Sequence, residues 1–177
     1  MKPYDFPVIS QFADTNRFLS NFYLCPLELP YLDPPNLTPC KSVEHYYQSA
    51  KTLDLAAKME ILNTPTPSDA KRLGNKLNGT VLLRTDWRDV NRQIMMKGLL
   101  YKFSIPSLAE LLLRTNTALL VEGNYWKDTF WGFDFKLGHG KNLLGQYLMI
   151  IRRVLQTNKY TDLRLLIEDP KFIKSIL

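Results

Sequence analysis

Several features of common protein classes are scarce or missing in this chain of 177 residues. It has two cysteines and two histidines, and the cysteine spacing fits no zinc site, so the sequence predicts no metal centre. No apolar run approaches the roughly 18 residues that a membrane-spanning helix needs. The first residues also lack the apolar core of a secretory signal peptide. We therefore expect a cytoplasmic protein in which Cys25 and Cys40 are free thiols.

The composition indicates a folded protein with an anionic partner. Hydrophobic residues make up 45% of the chain and aromatic residues 12%, which is typical of a globular protein and excludes a disordered one. The length favours a single domain over 1–177. A net charge of +6, spread along the chain, suits a nucleic acid, a nucleotide or a phosphorylated metabolite.

Cap residues and periodicity predict an α+β protein that is mostly helical, with a small sheet. We expect strand and loop over 8–23, a proline-rich loop over 30–39 and a strand over 118–122. Ser42, Thr66 with Pro67, and Asp86 are candidate helix starts, and Ser107 opens a capping box. The expected helices are 42–51, 54–62, 66–77, 87–103, 107–114, 142–156 and 162–168, the last within a helical extension at 157–177.

The segment 42–51 predicts a helix with two different faces. One face is a core stripe with helical spacing, formed by Val43, Tyr46, Ala50 and Leu53. The neighbouring face carries a carboxylate, a phenol, an amide and an amine in one row: Glu44, Tyr47, Gln48 and Lys51. Such a row either binds a polar ligand and moves a proton, or is an ordinary solvated helix face.

The segment 122–132 combines aromatic and charged residues between glycines. Trp126 and Trp131 either stack on a base or anchor the loop to the core. Asp128 and Asp134 are candidates for acid/base chemistry or for capping turns.

A glycine-rich turn at 138–145 precedes the predicted helix 142–156. Backbone amides at such a helix start can face an anion, and Lys141 and Asn142 would add donors. The spacing matches neither a P-loop nor a dinucleotide-binding fingerprint.

Five segments, taken in chain order, resemble the NADAR (YbiA-like) family. They are Phe18–Tyr23, Ser42–Gln48 with Lys51, Asp86–Trp87, Trp131–Gly132 and Gly140–Gly145. The resemblance covers about 9–154 and implies a compact, mostly helical α+β fold. It also implies an N-glycosidase for ribosylated amines that needs no cofactor. One family branch removes ADP-ribose from guanine in nucleic acid, and the other cleaves early riboflavin-pathway intermediates.

The resemblance and the chemistry of the residues together suggest roles at the site. Glu44 and Asp128 are the expected catalytic carboxylates, and Lys51 offers a Schiff-base route instead. The expected substrate-binding residues are Arg17, Ser20, Asn21, Phe22, Tyr47, Gln48, Trp87, Trp126, Trp131, Gly140, Lys141 and Asn142. We expect ADP-ribosylated guanine in nucleic acid as the substrate. The alternatives are a riboflavin-pathway ribosylamino-pyrimidine phosphate and a non-catalytic module that binds ADP-ribose or a nucleotide.

Departures from the family pattern bear on the choice of substrate. Thr52 follows Lys51 where the family often has phenylalanine, and Tyr23–Pro26 replaces a more usual turn. The proline-rich loop at 30–39 is long for the family.

Overall fold

The computed structural model describes residues 7–27, 40–157, 162–167 and 169–175. As predicted, the fold is α+β and mostly helical, with two short two-stranded sheets. The helices are α1 Val43–Ser49, α2 Leu55–Leu62, α3 Pro67–Lys76, α4 Trp87–Phe103, α5 Pro106–Arg114, α6 Leu143–Gln156 and α7 Pro170–Ser175. The strands are β1 Val8–Ile9, β2 Leu119–Leu120, β3 Gly123–Asn124 and β4 Phe133–Asp134. Short 3₁₀ helices span Asp14–Leu19 and Leu163–Leu166.

The chain divides into two compact units. The sheet unit comprises Met1–Ser20 and Phe103–Asp162, and the helical unit comprises Asn21–Lys102 and Leu163–Leu177. The predicted proline-rich loop at 30–39 lies outside the described residues. Along the described residues, no helix has the length and apolar character needed to cross a membrane.

Side-chain caps fix the starts of the first three helices, and the sequence predicted two of these caps, Ser42 and Thr66. The Ser42 hydroxyl accepts a hydrogen bond from the His45 amide at 3.3 Å. Asp54 caps α2 through the Ala57 amide at 2.8 Å, and Thr66 caps α3 with Pro67 in its first turn. Each cap gives an acceptor to an amide that has no partner within its helix, which explains why these starts are readable from sequence.

The predictions for other segments need correction. The capping box at Ser107 is wrong, because α5 begins one residue earlier at Pro106 and Ile105 is its N-cap. A proline fits the first helical position, where its missing N–H costs nothing. The expected strand and loop over 8–23 contains a 3₁₀ helix, and the strand at 118–122 is only Leu119–Leu120. The helix expected over 162–168 is a 3₁₀ turn at Leu163–Leu166.

Helices α1, α2 and α3 pack together in the helical unit. A cluster of Ile61, Ala70, Leu73 and Leu77 holds α2 to α3. Helix α4 buries a run of apolar side chains that includes Ile94, Met95, Met96, Leu99 and Leu100. Cys25 and Cys40 are free, as predicted, and both are buried.

Helix α6 is the centre of the sheet unit. It contacts α5 and β2, and its buried face carries Leu144, Tyr147, Leu148 and Ile151. Strand β1 pairs in parallel with β2, and β3 pairs in parallel with β4. The loop between β3 and β4 carries the two tryptophans of the segment 122–132.

Candidate functional site

The polar row of α1 is buried. Glu44 is 5% exposed, Gln48 4% and Lys51 5%, and Tyr47 is buried as well. Interpreting this row as a solvated helix face is therefore wrong. The predicted core stripe is wrong for Leu53. Helix α1 ends at Ser49, and Leu53 is 71% exposed.

Glu44 and Gln48 form a hydrogen-bonded pair one helical turn apart. The Gln48 Nε2 donates to Glu44 Oε1 at 2.7 Å. Since an ionised carboxylate only accepts, this bond fixes which end of the amide faces Glu44. The Gln48 Oε1 then lies buried without a hydrogen-bond partner among the described residues.

Lys51 presents its amine to neutral acceptors at the end of α3. Its Nζ donates to the Gly74 carbonyl at 3.3 Å and to Asn75 Oδ1 at 3.2 Å. Burial lowers the pKa of Lys51 to about 8, although the charge of Glu44 opposes that change, and Lys71 adds to the lowering. A part of the amine is therefore unprotonated near neutral pH, which an ordinary lysine is not.

Aromatic rings lie beside the amine. Trp87, the first residue of α4, lies 5.0 Å from the Tyr47 ring between centroids, and Lys51 Nζ lies 6.0 Å from the centre of the Trp87 ring. Lys71 lies over the Phe22 ring at 5.6 Å. The expected residues Phe22, Tyr47 and Trp87 thus belong to the helical unit that holds Glu44 and Lys51.

Asn21 adds a buried amide to this region. Its backbone carbonyl accepts from the Glu44 amide at 3.1 Å, and its Nδ2 points at the Met95 sulfur at 3.3 Å. The Asn21 Oδ1 is buried without a hydrogen-bond partner among the described residues. Three amide oxygens of the helical unit, those of Asn21, Gln48 and Asn91, therefore have unused acceptor capacity among the described residues, and a bound polar ligand is one group that could use it.

Sequence reasoning missed two residues of this region, Gly74 and Asn75. Both lie at the end of α3 and accept hydrogen bonds from Lys51. The sequence signal was only a Gly-Asn pair in the last turn of the predicted helix 66–77, which does not reveal that the turn faces an amine.

The remaining expected site residues belong to the sheet unit: Arg17, Ser20, Trp126, Asp128, Trp131, Gly140, Lys141 and Asn142. The two tryptophans differ. Trp126 is 63% exposed, so anchoring to the core is wrong for this residue. Trp131 meets the buried Tyr147 ring edge-on at 6.1 Å, which anchors the loop to α6.

Asp128 in this loop and Asp134 in β4 both cap turns. Asp128 Oδ1 accepts from the amides of Phe130 and Trp131 at 3.2 and 2.9 Å. Asp134 accepts from the amides of Lys127 and Leu137. Desolvation opposes ionisation of Asp134, but hydrogen bonds from these amides outweigh it and lower its pKa. A catalytic role for Asp128 stays a prediction.

The expected anion site at 140–142 needs correction. The amides of Lys141, Asn142 and Leu144 donate to carbonyls of the preceding loop, at 2.8, 3.0 and 3.0 Å. Asn142 uses its side chain in the same way, because Nδ2 donates to the Leu120 carbonyl and Oδ1 accepts from the Glu122 amide. These groups hold the loop closed, so the three amides do not face an anion, and substrate binding by Gly140, Lys141 and Asn142 stays a prediction. The Lys141 side chain is exposed and lies over the Phe130 ring at 5.4 Å.

The helical unit therefore offers a carboxylate and a low-pKa amine in one buried row. A carboxylate can accept or return a proton, and an unprotonated amine can attack an electrophilic carbon. Among the residues that the structure covers, no group of three or more His, Cys, Asp or Glu side chains could hold a metal ion.

Comparison with known proteins places this chain in a family. The model for the NADAR domain matches residues 9–156, close to the span of 9–154 over which the resemblance was seen. The chain belongs to the NADAR family.

Relatives within the NADAR family have two kinds of name. The chain is 41% identical over 117 residues to N-glycosidase YbiA of Shigella boydii, covering 66% of this chain and 71% of that protein. It is 34% identical over 167 residues to a riboflavin biosynthesis protein of Vibrio vulnificus, covering 93% of this chain. That match spans only 43% of the Vibrio protein, so the chain covers less than half the length of this relative.

A solved structure shares the NADAR fold seen here. The NMR structure of Escherichia coli YbiA superposes with a TM-score of 0.74 at 32% identity and covers 89% of each chain. The fold expected from the resemblance is confirmed.

Proposed function

We propose that this NADAR protein is an N-glycosidase that hydrolyses the C1–N bond of ADP-ribose attached to guanine in nucleic acid. The observation that carries the proposal is the buried row of Glu44, Gln48 and Lys51. A module that only binds nucleotides has no need of a buried carboxylate and amine, because burying each charged group costs free energy. The name of the YbiA relatives supports the class of reaction.

The reaction consumes one water and separates an amine from a sugar. Cleavage of the C1–N bond needs a proton for the departing nitrogen and stabilisation of positive charge at C1. Glu44 supplies the proton to the departing nitrogen, because Gln48 holds one of the carboxylate oxygens in place and the Glu44 side chain is shielded from bulk water.

The lowered pKa of Lys51 supports a covalent route. The unprotonated Nζ adds to C1 of the opened sugar, the C1–N bond breaks, and the guanine amine leaves with a proton. The resulting imine between Lys51 and C1 is then hydrolysed by water, which returns the free lysine and releases ADP-ribose. Direct attack of water at C1 remains the alternative route, and it leaves no imine to trap.

The loop between β3 and β4 supports nucleic acid as the carrier of the modification. Tyr125 and Trp126 are exposed there, and Lys127, Lys136 and Lys141 are exposed along the same segment of chain. Exposed aromatic rings can stack on unpaired bases, and lysines contact phosphates without regard to base sequence. The net charge of +6 has the sign that a polyanion requires.

The test is incubation of the protein with DNA that carries ADP-ribose on guanine. We expect release of ADP-ribose and unmodified guanine, at a rate that falls as the salt concentration rises. Sodium borohydride added during turnover should reduce the imine and leave a stable sugar adduct on Lys51, located by mass spectrometry. Tight binding of ADP-ribose without any turnover of substrate would make the protein a binding module instead.

A ribosylamino-pyrimidine phosphate of riboflavin biosynthesis is the second candidate substrate. The names of the Vibrio relative and of a maize relative that is 32% identical favour it, although the match spans only 26% of the maize protein. The same buried row would cleave its C1–N bond. Specificity constants measured on both substrates decide between them, and a much higher value for the pyrimidine phosphate would overturn the nucleic-acid assignment.

A further inference from the structure

We propose that Gly74 in the last turn of α3 is a positioning residue that holds both Glu44, through Gln48, and Lys51. This inference rests on the proposed N-glycosidase activity, and it assigns a role to a residue with no side chain. Its basis is that Gly74 touches both halves of the polar row through different parts of its backbone.

The first contact is with Gln48. A methyl group added at Gly74 would collide with Gln48 Oε1 and would lie 2.8 Å from Gln48 Cβ and 2.9 Å from Cδ. The amide could swing away from such a methyl group, but it would then lose the 2.7 Å bond that holds Glu44. The Cβ cannot swing, so α1 and α3 would also have to separate.

The second contact is with Lys51. The Gly74 carbonyl accepts from Lys51 Nζ at 3.3 Å, and the neighbouring Asn75 Oδ1 accepts at 3.2 Å. Any movement of α3 away from α1 therefore displaces Lys51 from its acceptors as well as Gln48 from Glu44. The two reactive groups are coupled through one turn of helix.

The glycine is otherwise a poor choice at this position. It lies inside α3, where alanine is the better helix former. Gly74 has no positive φ, so its backbone conformation does not demand glycine. The close approach of Gln48 is the requirement that remains.

Gly98 provides a matched control. It lies in α4 and packs against the same helix α1, where an added methyl would lie 2.9 Å from Tyr46 Cδ1 and 3.2 Å from Val43 Cγ1. Gly98→Ala therefore crowds α1 through side chains outside the polar row. A general loss of packing should affect both variants, whereas a positioning effect should appear only in Gly74→Ala.

The experiment compares turnover and the pKa of Lys51 in these variants. We expect Gly74→Ala to lower kcat by about tenfold or more, and Gly98→Ala to stay within about threefold of wild type. In a Gln48→Ala background, Gly74→Ala should add little further loss, because most of the collision has been removed. Equal losses in Gly74→Ala and Gly98→Ala, or full additivity with Gln48→Ala, would overturn the proposal.

A titration of the Lys51 Nζ by NMR gives a readout that needs no substrate. The charged groups that act on this amine are Glu44 on α1 and Lys71 on α3, and burial is the largest influence on it. We expect Gly74→Ala to admit water and raise the Lys51 pKa toward its ordinary value, and Gly98→Ala to leave it unchanged. An unchanged pKa in Gly74→Ala would count against the proposal. Absence of turnover in the wild-type protein would instead refute the proposed function, leaving the titration to test the role of Gly74.

Discussion

The polar row formed by Glu44, Gln48 and Lys51 and the aspartates near the loop between β3 and β4 differ in their hydrogen-bond partners. Glu44, Gln48 and Lys51 are buried and interact mainly with other side chains and with one turn of α3. Asp128 in the loop and Asp134 in β4 cap backbone amides. The first region therefore keeps its polar side chains in a buried row that includes an amine of lowered pKa, an arrangement suited to chemistry. The second region uses its polar side chains to stabilise the fold.

Among the substitutions that test this difference, Glu44→Gln is expected to have the largest effect, and the effect is on turnover. Turnover should fall by about a hundredfold or more, because the amide cannot exchange a proton as a carboxylate does. The melting temperature should stay near that of wild type, since glutamine has the same shape and can still accept from Gln48 Nε2. Steady-state kinetics and thermal unfolding measure the two effects. Normal hydrolysis by this variant would remove Glu44 from the chemistry.

The paired substitutions Trp131→Ala and Trp126→Ala test how the loop between β3 and β4 contributes to stability. Trp131 packs edge-on against Phe130 and Tyr147, so its removal should lower the free energy of unfolding by about 2–3 kcal/mol. Trp126 is mostly exposed, and its removal should change that free energy by less than about 0.5 kcal/mol. Denaturant unfolding of both variants checks the contrast. Similar losses would mean that the loop is not anchored through Trp131 in particular.

Lys51→Met is expected to abolish imine trapping and yet stabilise the protein at pH 7. A lowered pKa means that the unfolded chain binds the proton more tightly than the folded one. Stability therefore rises with pH between about 8 and the ordinary lysine value, and below pH 8 the folded protein carries the cost of a buried charge. Methionine removes that cost, for a gain of roughly 1–3 kcal/mol. Unfolding measured from pH 6 to 11 should show the pH dependence in wild type and not in the variant.

Asp128 gives the smallest expected effect and the most direct test of the difference between the regions. Asp128→Ala removes the acceptor for two amides and should cost about 1 kcal/mol of stability, while Asp128→Asn keeps an oxygen in place and should cost little. We expect Asp128→Asn to stay within a few-fold of wild-type turnover. A large fall in kcat with unchanged melting temperature would give this loop a catalytic carboxylate and break the comparison.

Local signals predicted the helices well and their surroundings poorly. Ser42, Asp54 and Thr66 cap helices through amides three residues ahead, so the evidence for each start lies within a few residues of sequence. The burial of the polar row depends on α3, whose Gly74 and Asn75 are 23 and 24 residues beyond Lys51. Periodicity shows which residues share a face of a helix, but it does not show which face packs against a neighbouring helix.

The expectation of available amides at 140–142 failed for the same reason. A glycine-rich turn before a helix looks like a set of available amides, yet Thr129 and Gly132 supply carbonyls that accept from Lys141 and Asn142. Those carbonyls come from a loop whose path is set by the Asp128 cap and by Trp131 packing on Tyr147. Nothing in the segment 138–145 by itself reveals that closure.

Asn142 shows what a family motif can report. Its backbone has a left-handed φ of 52°, which asparagine tolerates better than most residues, and its amide acts as donor to Leu120 and acceptor from Glu122. Glycine would suit the φ angle but make neither bond, and aspartate would lose the donor. The segment Gly140–Gly145 is thus a signature of how the chain closes β2 onto α6. A protein could keep that signature after losing the buried polar row, so family membership and the proposed activity are separable properties.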